Sequence, residues 1–174
     1  MMSSEERDLI MSLVVVPGRG KNRSPEEFLH LTGKVDGKNY GSQLLRSAVA
    51  EKNPDDLELA LIVCGAFDPN TENLPILAEL ISADWHFKHE DVVSQLGQLQ
   101  TLDAVDALYE ATQWVPAYLD FDDSRALAKK AIWALGRMSS HKATQALKRL
   151  VSDDSQIIRE GARSQLERRQ KGMS

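Results

Sequence analysis

One pattern limits what this chain can fold into: residues 89–112, HEDVVSQLGQLQTLDAVDALYEAT, align with residues 128–151, AKKAIWALGRMSSHKATQALKRLV, at an offset of 39. Val92 falls on Ala131, Val93 on Ile132, Leu96-Gly97 on Leu135-Gly136, and Ala107-Leu108 on Ala146-Leu147. A third copy starts at Ser155 as SQIIREGARSQLERR, where Ala162 and Leu166 match Ala131 and Leu135. A looser copy, LELALIVCGAFDPNTENLPILAELI, precedes them. Self-similarity at roughly 30 to 40 residues is the mark of a stacked helical repeat, in which no unit buries its apolar face alone.

Each copy reads as two helices. Leu127, Ala131, Leu135 and Met138 recur at helical spacing, with Ala128 and Ile132 beside them. Gly136 closes that stripe, Ser139-Ser140 turns the chain, and Ala143, Leu147 and Leu150 begin a second stripe. Gly97 and Gly136 are expected to let the second helix of a pair approach closely. Asn53, the run Asp122-Asp123-Ser124 and the run Asp153-Asp154-Ser155 are N-cap candidates. The spacing predicts helices near 25–31, 42–52, 55–66, 73–82, 88–99, 102–113, 124–138, 142–151 and 155–170. Residues 11–24 and 32–41 read as loop, with room for a short strand at 12–16. Nothing in the composition divides the chain, so it reads as a single repeat domain over 1–174. Residues 1–41 form its irregular N-terminal segment, and 88–168 hold the clearest repeats.

The segment LAKKAIWALGRMSSHKATQALKRLVSDDSQIIREGARSQL resembles the bacterial HEAT-like repeat of the phycobilisome-lyase type. The resemblance implies an all-α fold, a short right-handed α-solenoid of HEAT-like helical hairpins in two layers. It does not imply lyase chemistry, because such repeats share binding rather than a reaction. The runs EEFLHLTGK, GSQLLRSAVA, DLELALIVCGAF, DWHFKHEDVV and WVPAYLDFDDSRALAKKAIWALG are similar to small stand-alone HEAT-repeat proteins, candidate immunity proteins of polymorphic toxin systems. That likeness implies a cognate toxin as partner.

The residues offer little for catalysis. HEAT-repeat iron hydroxylases hold their metal with His-Glu pairs on successive helices, whereas here the dipeptide occurs once, at His89-Glu90. His86 and His89, with Glu90 or Asp91, are the one arrangement that would suit a metal. His89 aligns with Ala128 on the edge of the core stripe, so a packed or capping histidine is the alternative. Cys64 in LIVCGAF reads as a buried, inert thiol, and a single cysteine excludes an internal disulfide. No GxSxG, P-loop or dinucleotide fingerprint occurs, and GRGKNR at 18–23 lacks the strand such a loop must follow. No catalytic residue, metal or cofactor is expected.

Charge is unevenly placed. Residues 84–124 hold one basic side chain, Lys88, against nine acidic ones, whereas 125–171 hold twelve basic and four acidic ones. A basic groove is what helical-repeat DNA-repair proteins need, but the acidic stretch beside it would repel phosphates, so nucleic acid is not the expected partner. The longest apolar run, 9–16, is far short of the roughly 20 residues that span a bilayer. It has no basic leader or small-residue cleavage site, so the expected location is cytoplasmic, with no membrane association.

The informative feature is the long connection QWVPAYLDFDD at 113–123, which holds a Trp, a Tyr and a Phe among only ten aromatics in the chain. In a solenoid, insertions collect on one edge and carry binding. A second aromatic-acidic cluster, Asp84-Trp85-His86-Phe87, occupies the preceding equivalent turn. Stacking should set the two side by side. Trp133 falls opposite the core stripe, between Lys129 and Arg137, where it either packs under the insertion or against the neighbouring first helix, or stands out as an anchor. The candidate partner-binding residues are therefore Asp84, Trp85, His86, Glu90, Trp114, Tyr118, Asp120, Asp122, Asp123 and Trp133. The expected function is non-enzymatic protein binding, specifically as an immunity protein that neutralises a toxin. A general scaffold is the alternative, and a nucleic-acid-binding repeat protein ranks below both.

Overall fold

The computed structural model describes residues 2–15, 22–121 and 125–172. The chain divides into two compact units, Met1–Asn73 and Leu74–Ser174. Every regular element among the described residues is a helix, so the fold class is all-α.

The first unit contains α1 (Ser4–Met11), α2 (Pro25–Thr32), α3 (Gly37–Glu51) and α4 (Pro54–Ala66). About half of the segment expected to be irregular, 1–41, is therefore helical. Residues 12–14 are turn and bend after α1 rather than the start of a strand, and Val16 lies outside the described residues. The helix ends are set locally. Ser24 and Glu27 form a reciprocal capping box, with Pro25 at the first helical position. Asn53 accepts from the backbone N–H groups of Asp55 and Asp56, each at 3.1 Å, the cap expected for α4.

Tertiary contacts then hold α1 in place. Its Ile10 is fully buried with Phe28, Tyr40, Leu59 and Val63. Its Arg7 pairs with the buried Asp56 at 2.6 Å, and its Glu6 accepts from the Tyr40 hydroxyl. The glycines of α3 are there for close approach. A Cβ on Gly37 would overlap the Phe67 ring at 2.4 Å, and one on Gly41 would press on Cys64. Cys64 is 8% exposed and burial pushes its thiol up to about 11, which leaves it protonated and inert at neutral pH.

The second unit contains α5 (Leu74–Leu80), α6 (His89–Leu99), α7 (Ala104–Gln113), α8 (Ala126–Arg137), α9 (His141–Leu150) and α10 (Gln156–Gly172). It is a HEAT-like α-solenoid. The hairpins α6–α7 and α8–α9 stack so that α6 packs on α8 and α8 on α10 in one layer, with α7 beside α9 in the other. The aligned pairs Val92/Ala131, Val93/Ile132, Leu96/Leu135 and Leu108/Leu147 are all buried, which is what phases the two helices of each repeat. Ser140 caps α9 through the Ala143 N–H at 3.1 Å.

The paired glycines act between repeats rather than within one. A Cβ on Gly97 would lie 2.9 Å from the Ala134 Cβ on α8, and one on Gly136 would meet the Gln165 side chain of α10 at 2.2 Å. Each glycine therefore brings together the first helices of successive repeats, not the two helices of a hairpin as the sequence suggested. Arg169 of α10 seals this contact. Its guanidinium donates to the carbonyls of Leu135, Gly136 and Met138 at the C-terminal end of α8.

Candidate functional site: a cleft between two turns

Two connections of the second unit meet on one edge. After α5 the chain turns through residues 81–88, and after α7 it runs through 114–121 before α8. The second connection has its own anchors. Trp114 N–H donates to Glu110 O at 3.1 Å, and Arg125 donates to Thr112 O at 3.0 Å. A short 3-10 turn, Ala117–Leu119, closes with Leu119 N–H on Pro116 O at 2.8 Å. Trp114, Val115, Pro116 and Leu119 also lie along the first turn of α8, so the insertion covers the solenoid on one side and faces the 81–88 turn on the other.

The join is aromatic. His86 and His89 stack with ring centres 4.2 Å apart. Tyr118 packs on His89 at 5.5 Å and meets Phe87 edge-on at 5.2 Å. Between the turns is a cleft of about 280 Å³. Its walls and floor include Asp84, Phe87, Trp114 and Tyr118 with the two histidines.

Hydrogen bonding fixes the protonation of that floor. His86 Nε2 faces the Leu80 carbonyl at 2.9 Å and must donate, while its Nδ1 accepts from Lys88 N–H at 3.1 Å. His89 Nε2 faces the Ala83 carbonyl at 2.9 Å, which leaves Nδ1 to accept from the Tyr118 hydroxyl at 3.1 Å. Each ring is thus a neutral Nε2–H imidazole. Burial lowers the pKa of both. His89, next to His86, is pushed down to about 4. Burial also raises Tyr118, keeping its hydroxyl protonated and able to donate. The histidines tie down carbonyls at and just beyond the end of α5, so they are structural supports for the turn.

The expected site residues do not all reach the cleft. Asp84, Trp114 and Tyr118 line the cleft, as the neighbouring-turn argument requires. Trp85 is half-buried with its ring edge-on to His86 at 5.1 Å, and Glu90 is half-exposed and holds Lys130 at 3.3 Å. His86 also lines the cleft but is 1% exposed with both ring nitrogens engaged; it supports the turn and offers a partner almost no surface, a correction to the expectation. Asp120 is exposed just past the 3-10 turn, outside the cleft lining. Asp122 and Asp123, named as partner contacts and helix caps, lie outside the described residues. The residue before α8 is Arg125, in the left-handed region at φ 53° and without a side-chain cap.

Trp133 is 52% exposed on α8, away from the cleft lining, with the Arg168 guanidinium 4.5 Å from its ring centre. Its partner there belongs to α10, the neighbouring first helix, one of the two packings expected for it. Phe87, recognised as part of the aromatic-acidic turn but left out of the candidate binding residues, is 65% exposed and lines the cleft. Its signal was an apolar ring in an acidic turn, outside any helical stripe. His89 was weighed as a metal ligand or a packed residue, and it is packed. Among the described residues no cluster of three or more His, Cys, Asp and Glu side chains is arranged to hold a metal ion. No helix among them is long and apolar enough to cross a membrane.

Residues 92–167 match the family described as HEAT repeats. The match runs from α6 into α10 and so covers both hairpins. No curated protein matches the chain, and neither does any solved structure. HEAT repeats suggest a protein-interaction scaffold, and the second unit has that fold.

Proposed function

We propose that the chain is a non-enzymatic binding protein whose cleft engages a protein partner, and that this partner is a bacterial toxin domain which binding neutralises. The observation that carries the reading is the exposure of Trp114 (38%) and Phe87 (65%) across one cleft with Asp84. Large aromatics left in water at a concave site are the residues that dominate interface energies. The acidic excess over 84–124 favours a basic partner surface, such as the substrate cleft of an enzyme acting on a phosphate-bearing molecule. The resemblance to candidate immunity proteins supplies the toxin. Neutralisation then requires no chemistry from this chain, because occupying the cleft of the toxin is sufficient.

The test is co-expression with the product of the neighbouring gene. The reading expects that product alone to arrest growth, and wild-type chain to restore it. Trp114→Ala should restore it poorly while remaining folded. A neighbouring product that is harmless, or that stays toxic beside the wild-type chain, overturns the toxin reading. A general scaffold is the second reading, favoured by the separate exposed pair Trp133–Arg168, which gives the solenoid another face to offer.

A further inference from the structure

We propose that the cleft receives one cationic side chain of the partner, an arginine, with its guanidinium against the aromatic faces of Trp114, Phe87 and Tyr118. The inference rests on the protein-binding reading above and names what enters the site.

Size comes first. A cleft of about 280 Å³ falls just below the usual range for small-molecule sites, roughly 300–1,000 Å³, and far below what a helix needs. One long side chain suits it. Chemistry then selects which. Three of the lining residues are aromatic, and ring faces attract cations through their quadrupole. Tyr118 and Phe87 are held edge to face, and Tyr118 is fixed by His89, so the rings are organised before anything binds.

The electrostatics agree. Asp84 lines the cleft, and the carboxylates of Glu90 and Asp91 act on Tyr118. Among the described residues no lysine or arginine lines it. The two imidazoles beneath would repel a cation if charged, but each has its Nε2–H committed to a carbonyl and its Nδ1 accepting a hydrogen bond. A carboxylate would face Asp84, and an apolar side chain would remove water from Asp84 without replacing it. A guanidinium stacks flat on aromatic rings and keeps its edge N–H groups for carboxylates, which an ammonium cannot do as well.

Titrating the full chain with N-acetyl-arginine amide, and separately with N-acetyl-norleucine amide, tests this. The readout is the NMR signal of the Trp114 indole N–H and the Tyr118 ring. Arginine should shift both signals saturably, with norleucine about tenfold weaker. Asp84→Asn, an exposed change that should leave the fold intact, should weaken arginine severalfold. Phe87→Ala should weaken it further, and Trp133→Ala should not matter. Equal shifts from the two amides, or none from arginine, overturn the inference. If arginine fails yet a protein partner still needs Trp114, the cation pocket falls and the binding site stands. If partner binding ignores Trp114, the site reading itself falls.

Discussion

The hairpins α6–α7 and α8–α9 bury the same positions and expose different ones. Leu96 and Leu135 are equally buried, as are Leu108 and Leu147, and Gly97 and Gly136 each admit the first helix of the following repeat. Outside the core the equivalence ends. His89, anchored to Ala83 and Tyr118, corresponds to the buried Ala128. Trp114, which starts a long aromatic connection, corresponds to Asp153 in a short polar one. The polar Ser94 corresponds to the exposed Trp133. What the repeats share is what a stack requires of every unit. What they do not share cannot be explained by stacking, so function is to be sought there.

The largest effect should come from breaking what is common. Leu108→Ala and Leu147→Ala each remove a fully buried side chain and should each cost about 2–5 kcal/mol, similarly for the two, as read by chemical denaturation. A cost below about 0.5 kcal/mol at either would mean that the repeat phasing is wrong there.

A smaller effect should trace to the first repeat alone. His86 and His89 have pKa values lowered by burial, His89 to about 4, against about 6.5 when unfolded. As pH falls, the unfolded chain binds these protons first. The stability of the neutral pair is therefore complete above pH 6.5 and is lost between 6.5 and about 4, on the order of 2 kcal/mol. Denaturation from pH 7 to 4 should show a steeper loss for wild type than for His89→Gln. Equal slopes would contradict the neutral, buried pair. Smallest should be the effect of Asp120→Asn, exposed outside the cleft lining, which should slow partner association a fewfold and reduce its salt sensitivity, leaving dissociation nearly unchanged.

How far the sequence foretold this differs between the units. In the second, the offset of 39 carries the helices, the core and the pairing of turns, because stacking demands the same residues twice. In the first, α1 escaped notice because SEERDLIM buries one residue, Ile10. Its place depends on distant partners, Tyr40 and Asp56, which no local pattern reveals. The start of α3 read as loop because Gly37 and Gly41 usually signal one, whereas here they make room for Phe67 and Cys64. In the site, the aromatic turns were legible as insertions. The burial of His86 was not, since it depends on a carbonyl at the end of α5, Leu80, that the fold brings within reach.

The central claim is that the edge cleft, rather than the Trp133 face, binds the partner. The direct measurement compares the affinities of wild type, Trp114→Ala and Trp133→Ala for the product of the neighbouring gene, with the stability of each variant recorded alongside. The account predicts a loss of roughly 2 kcal/mol or more, about thirtyfold, for Trp114→Ala and a change within about twofold for Trp133→Ala. A folded Trp114→Ala that binds as wild type does, with the loss falling on Trp133→Ala instead, would contradict it and move the site to the face shared by Trp133 and Arg168.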